Sequence, residues 1–230
     1  MTAFRNDTGA KPPAALKRGM IQKSLVVGAF QCNCTLLACE KTKEAVLIDP
    51  GDEPEKILAL IAAQGIKVKY LLHTHAHLDH VAATRTLKTA GHGEICLHAG
   101  DKMIYDNLPL QGQMFGMPMP PGAPVDLWLE DEQELTFGEN KLKVIHTPGH
   151  SPGGICFHVQ GGTEKEQLFS GDTLFQMSVG RTDLWGGDMD LLFKSIRQRL
   201  FTLEGEMKVH PGHGPSTTIG FEKKNNPFFQ

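Results

Sequence analysis

The stretch Val68-Lys-Tyr-Leu-Leu72-His-Thr-His75-Ala-His77-Leu-Asp79-His80 decides how this chain folds and where its chemistry sits. Val68 to Leu72 is a short, largely apolar run of the kind that forms a buried strand. A helical pattern takes over at Asp79, so the histidines emerge at the C-terminal edge of that strand. His75 and His77 are two apart in extended chain, and side chains at that spacing project to the same side. They can therefore bite one cation as a pair. Asp79 and His80 open the following helix and point elsewhere, which suits a second cation close by. A lone His in a strand is usually a core or surface residue. Three His and one Asp within six positions, at a strand-to-helix switch, match the nitrogen and oxygen donors of a metal site instead.

Three further segments share this plan: a strand, a Gly-rich turn, then one ligand-type side chain. Val144-Ile-His-Thr-Pro-Gly-His150 offers His150, Leu168-Phe-Ser-Gly-Asp172 offers Asp172, and Val209-His-Pro-Gly-His-Gly214 offers His213. Small residues beside each let the backbone approach a crowded centre. Gly149-His-Ser-Pro-Gly153 also satisfies the G-x-S-x-G pattern of a serine nucleophile elbow. That chemistry needs the N–H of the residue after the serine, and Pro152 has none. The following Gly153-Gly154 leads to a strand rather than the required helix, so the serine reading is set aside.

The remaining sequence alternates short strands and amphipathic helices. Strands are expected at 21–27, 35–39, 45–49, 68–72, 94–98, 134–137, 141–146, 154–159, 167–170 and 207–210, several pairing as hairpins. Helices are expected from about Glu53 to a cap at Gly65, over 79–90, and from about Asp188 with Leu191, Leu192, Ile196 and Leu200 facing inward. Helices outside two stacked sheets would bury these faces, an α/β architecture. The Pro-, Gly- and Met-rich segment 107–126 shows no period and reads as a long loop, either a lid over a site or a covering loop.

Composition narrows the function. Among 230 residues, 23 Lys and Arg against 26 Asp and Glu give a net charge of −3, which argues against a protein built to grip nucleic acid. No apolar run reaches the ~20 residues of a membrane span, and eleven His are a surplus. Five Cys (Cys32, Cys34, Cys39, Cys96 and Cys156) without a secretory segment indicate reduced thiols and a cytoplasmic location. Residues 1–19 read as a loosely ordered basic extension and 20–230 as the catalytic domain.

The residues His75, His77, Asp79 and His80 meet the H-x-H-x-D-H signature of the metallo-β-lactamase superfamily, and His150, Asp172 and His213 match its later ligands. The resemblance runs from about Met20 to the C-terminus and implies a four-layer αββα sandwich with metals at one edge of the two sheets. It implies two divalent ions, zinc first, with iron or manganese as alternatives. One ion would take His75, His77 and His150, the other Asp79, His80 and His213, with Asp172 bridging. Within the superfamily, Gly171-Asp-Thr-Leu-Phe175 and Thr147-Pro-Gly-His150 look like glyoxalase II (hydroxyacylglutathione hydrolase). The tail from Pro211 to Phe228 looks like the short single-domain bacterial relatives of that enzyme, which lack a C-terminal helical domain for glutathione.

That resemblance implies hydrolysis of a small-molecule thioester, such as S-D-lactoylglutathione or a related acyl thioester, by a metal-bridging hydroxide. Asp79 and Asp172 carry the catalytic work. Two divalent ions less two carboxylates and one hydroxide leave about +1, suited to an electron-rich substrate. A thiolate, with a conjugate acid near pKa 8.5, leaves without a strong general acid. Asp49 is either a residue behind the metal ligands or the former of an Asp-Pro-Gly turn. Arg181 either forks onto a substrate carboxylate or pairs with Asp183. Rival readings are a mononuclear-iron persulfide dioxygenase, similar at Gly180-Arg-Thr-Asp183 and built on His75, His150 and Asp172, or another ester, lactone or phosphodiester hydrolase of the superfamily.

Overall fold

The computed structural model describes residues 19–160 and 166–230. The basic extension expected over 1–19 lies outside the described residues except for Gly19, as do 161–165 of the polar turn after the strand expected at 154–159.

Strands β1 (Met20–Val27), β2 (Cys32–Cys39) and β3 (Glu44–Ile48) pair antiparallel in sequence. Helix α1 (Pro54–Gln64) then carries the chain to β4 (Lys67–Leu72), parallel to β3. Pro54 supplies a preset φ at the helix start, Ile57 and Ile61 bury one face, and Gly65 caps the end in the left-handed region at φ 59°. Helices α2 (Leu78–Val81) and α3 (Thr84–Thr89) lead to β5 (Glu94–His98); α4 (Lys102–Asp106) and α5 (Leu108–Met114) lead to β6 (Leu127–Leu129). These six strands form one sheet in sequence order.

The second sheet opens with β7 (Glu134–Phe137), β8 (Asn140–His146), β9 (Ile155–Gln160) and β10 (Gln167–Gly171), again antiparallel in sequence. A small ribbon, β11 (Leu174–Phe175) with β12 (Ser178–Val179), precedes α6 (Met189–Ser195), whose last turns widen into a π-helix over Ile196–Leu200. β13 (Lys208–Pro211) returns parallel to β10, β14 (Thr217–Thr218) pairs with β13, and α7 (Ile219–Asn225) follows.

Side-chain alternation along the strands divides the core into layers. Leu37, Val46, Ile48 and Leu72 of the first sheet meet Phe137, Leu142, Val144, Phe157 and Phe169 of the second between the sheets. Their neighbours Leu36, Ala45, Leu47 and Leu71 face outward onto Ile57 and Ile61 of α1 and Leu87 of α3. On the far side Ile145, Cys156 and Leu168 meet Leu192, Ile196 and Leu200. The result is the expected αββα sandwich.

Three local expectations need correction. The helix expected over 79–90 is two short helices, because the Ala83 amide turns to the Pro50 carbonyl at 3.0 Å. The segment 107–126 is no continuous loop: α5 occupies its first third, with Pro109 in the first turn and the Asn107 carbonyl accepting from Leu110 and Gln111. Leu191 is 37% exposed, because the helical step that points Leu192 inward turns its neighbour outward. Phe157 fills the space between the sheets with no exposure. Phe157→Ala should lower unfolding free energy by about 3–5 kcal/mol in urea denaturation, with the slope of the transition unchanged.

Candidate metal centre

The residues singled out in the sequence converge where strands of both sheets end. His75 and His77 follow β4, Asp79 and His80 sit on α2, His150 follows β8, Asp172 follows β10 and His213 follows β13. His150 Nε2 lies 3.2 Å from His75 Nε2 and 2.9 Å from His77 Nδ1. His213 Nε2 lies 3.2 Å from His80 Nε2 and 3.1 Å from Asp79 Oδ2. Asp172 stands between, with Oδ1 3.5 Å from His80 Nε2 and Oδ2 3.7 Å from His150 Nε2 and 3.6 Å from His213 Nε2. Three donor groups result: His75, His77 and His150; His75, His80 and Asp172; and Asp79, His80 and His213. The fourth histidine of the run, His73, stays in the core, bonded to the Cys96 carbonyl and Thr84 Oγ1.

Hydrogen bonds on the outer side of the rings fix which nitrogens face inward as lone pairs. His150 Nδ1 is 2.6 Å from the Arg181 carbonyl and His213 Nδ1 is 3.3 Å from the Gln31 carbonyl. A carbonyl only accepts, so each Nδ1 carries the hydrogen and each Nε2 presents a lone pair to the centre. His80 Nδ1 faces Asp49 Oδ2 at 3.1 Å and is fixed the same way. Lone pairs about 3 Å apart repel unless a cation or a proton lies between them. Asp172 Oδ1 is buried and has no hydrogen-bond partner among the described residues, which leaves an anionic oxygen for a cation to satisfy. The donor set therefore fits divalent ions.

Electrostatics point the same way. Burial, reinforced by neighbouring imidazoles, pushes His75 well below the ordinary range and His77 down to about 3, so both are neutral donors at neutral pH. Burial alone would raise Asp79, but His80 and His213 hold its carboxyl low. At His80 the burial penalty is outweighed by Cys32, Asp79, Asp172 and Asp49, which together favour positive charge at that spot. A metal ion supplies such charge as well as a proton does.

Close backbone approach closes the cradle. A Cβ at Gly212 would lie 2.3 Å from Asp172 Oδ1, and one at Gly180 would meet the Asp172 carbonyl at 1.8 Å. Asp49 lies behind the His/Asp cluster as well as within its turn. It accepts from the Thr74 amide and hydroxyl, both at 2.8 Å, as well as facing His80. Sequence reasoning missed Asp101. Its fully buried carboxylate accepts from the Ala76 amide at 2.9 Å, Ser151 Oγ at 2.8 Å and the Gly153 amide at 2.5 Å, joining the His75–His77 turn to the His150 turn. Gln111 of α5 was missed too; it bonds the Leu78 amide and the Ala76 and Ile104 carbonyls. Ser151 is spent on Asp101, which disposes of the nucleophile-elbow pattern. Arg181 is forked onto both oxygens of Asp183 at 2.6 and 2.8 Å, at the rim of the cleft.

That cleft, of about 260 Å³, is lined by His77, Asp79, His150, Asp172 and His213 together with Phe30, Phe115 and Leu184. The sequence profile of the metallo-beta-lactamase superfamily matches residues 27–213. The chain belongs to that superfamily. Hydroxyacylglutathione hydrolase GloC of Haemophilus influenzae is 42% identical over 204 residues, 88% of this chain and 94% of that protein. The BLEG-1 B3 metallo-beta-lactamase superimposes with a TM-score of 0.83 at 37% identity, covering 91% of this chain and 100% of that one. TTHA1623 in a di-iron-bound form superimposes at 0.80 with 42% identity, covering 90% and 99%. This superfamily member is thus a metallo-hydrolase whose relatives bear different substrate names, so its substrate must be argued from its own cleft. Asp101→Ala would strand three buried donors and should cost about 3 kcal/mol or more of stability in chemical denaturation.

Proposed function

We propose that this metallo-hydrolase cleaves acyl thioesters at a two-ion centre. His75, His77 and His150 would hold one divalent ion, Asp79, His80 and His213 the other, with Asp172 shared. Zinc is the proposed metal, since imidazole and carboxylate donors suit it. Bound there, such ions supply a water of lowered pKa and an electrophile for a carbonyl oxygen.

The observation that carries the thioester reading is the inventory of the cleft. Its titratable groups, among the described lining residues, are the His/Asp cluster and Arg181. Arg181 keeps its proton at any working pH. The chain therefore brings to the leaving group no acid beyond the cluster itself. A thiolate departs without one, whereas an alkoxide or an amine needs a proton. Asp79, held ionised beside His213, and Asp172, with one oxygen unbonded, are the groups that orient the attacking water. The relative named hydroxyacylglutathione hydrolase supports the same class. A mononuclear-iron dioxygenase would leave Asp79, His80 and His213 without work. The substrate is a small molecule, and the five buried, unpaired cysteines support a reducing, cytoplasmic setting.

Elemental analysis of purified protein should find two metal equivalents per chain, and His213→Ala should lose one of them together with at least about 100-fold of thioesterase kcat/KM. Unchanged turnover in that variant would reject the two-ion reading. Stripping with a chelator should abolish hydrolysis and lower Tm, since ions bound to the native state alone stabilise it. Against S-D-lactoylglutathione, simple acyl thioesters, a β-lactam and a phosphodiester, the thioesters should be the better substrates by at least about 100-fold; the reverse order rejects the assignment.

A further inference from the structure

Beside His77 a narrow recess opens off the cleft, lined by Ile104, Gln111, Met114, Phe115, Leu184 and Trp185. Its accessible lining is almost entirely apolar. Of its polar side chains, Gln111 is bound elsewhere (Oε1 accepts from Leu78, and Nε2 donates to Ala76 and Ile104), His77 Nδ1 faces His150, and Trp185 adds a single indole N–H. Gln111 therefore keeps no donor for the recess. Phe115 borders both recess and cleft, and its ring packs edge to face on Phe30 at 5.5 Å across the mouth. Both rings remain 40% exposed, and Met114 beside them is flexible enough to fit varied shapes. The cation at the rim, Arg181, forks onto Asp183 with both side chains largely exposed.

We infer that this recess is the acyl subsite and that it selects thioesters of apolar acids. The inference rests on the thioesterase reading above. His77 belongs to both the recess and the donor cluster, so a group seated in the recess adjoins the scissile carbonyl. Burying methylenes there lowers the free energy of the bound substrate by desolvation. The hydroxyl of a lactoyl group would instead meet a lining that is almost entirely carbon.

The test is a series of acetyl, butanoyl and hexanoyl thioesters of the neutral thiol N-acetylcysteamine, set beside S-D-lactoylglutathione. At about 3- to 4-fold per buried methylene, hexanoyl should exceed acetyl in kcat/KM by at least about 10-fold. Phe115→Ala and Leu184→Asn should each cut that hexanoyl-to-acetyl ratio about 5-fold, and a ratio is insensitive to how much of a variant folds. Independently of turnover, hexanoate should perturb the emission of Trp185 in the Trp128→Phe protein where acetate does not. A flat or falling series with active enzyme overturns the subsite alone. Failure to hydrolyse any thioester overturns the thioesterase reading as well.

Discussion

The structure depends on one unfavourable arrangement: five imidazoles and two carboxylates aimed at a volume a few ångströms across. Like lone pairs and anionic oxygens at such distances repel, and desolvation makes the repulsion worse. The fold holds them there by committing the outer side of three of the rings. His150 is tethered to the Arg181 carbonyl, His213 to Gln31 and His80 to Asp49. The site is built from outside inward, and what lies outside is mostly backbone.

That explains why loops this polar can be buried. Asp49 and Asp101 each satisfy donors of turns that carry residues of the cluster, so amides that no strand or helix could pair are not lost. Asp49 sits in the left-handed region at φ 50°, an uncommon conformation for a residue with a side chain. The turn bends there, and the carboxylate comes to lie under both Thr74 and His80.

The seven cluster residues were legible in the sequence because each follows a recognisable strand and most follow a small residue. The layers were legible because β2, β3 and β9 are near-continuous apolar runs, as strands covered on both faces are, while β8 alternates with lysines. What stayed hidden was set by partners distant in sequence. Nothing near Asp101 announces that Ala76, Ser151 and Gly153 will surround it. The break between α2 and α3 lies in an unbroken amphipathic pattern and exists because Pro50 claims one amide. Helix α5 was obscured by the Gly and Pro around it, and Gln111 with it. For Arg181 both alternatives were open, and the partner two residues away took it.

One junction ties the start of the described chain to its end. Cys32 bridges His213, and the Asn33 side chain donates to the Pro211 and Gly214 carbonyls, the latter across 181 positions of sequence. Contacts of such span form late, because the entropy of closing the intervening loop must be met first. His213 is thus held at the cluster by a seam that joins the two ends of the described chain, and a loosening of either end reaches the centre directly.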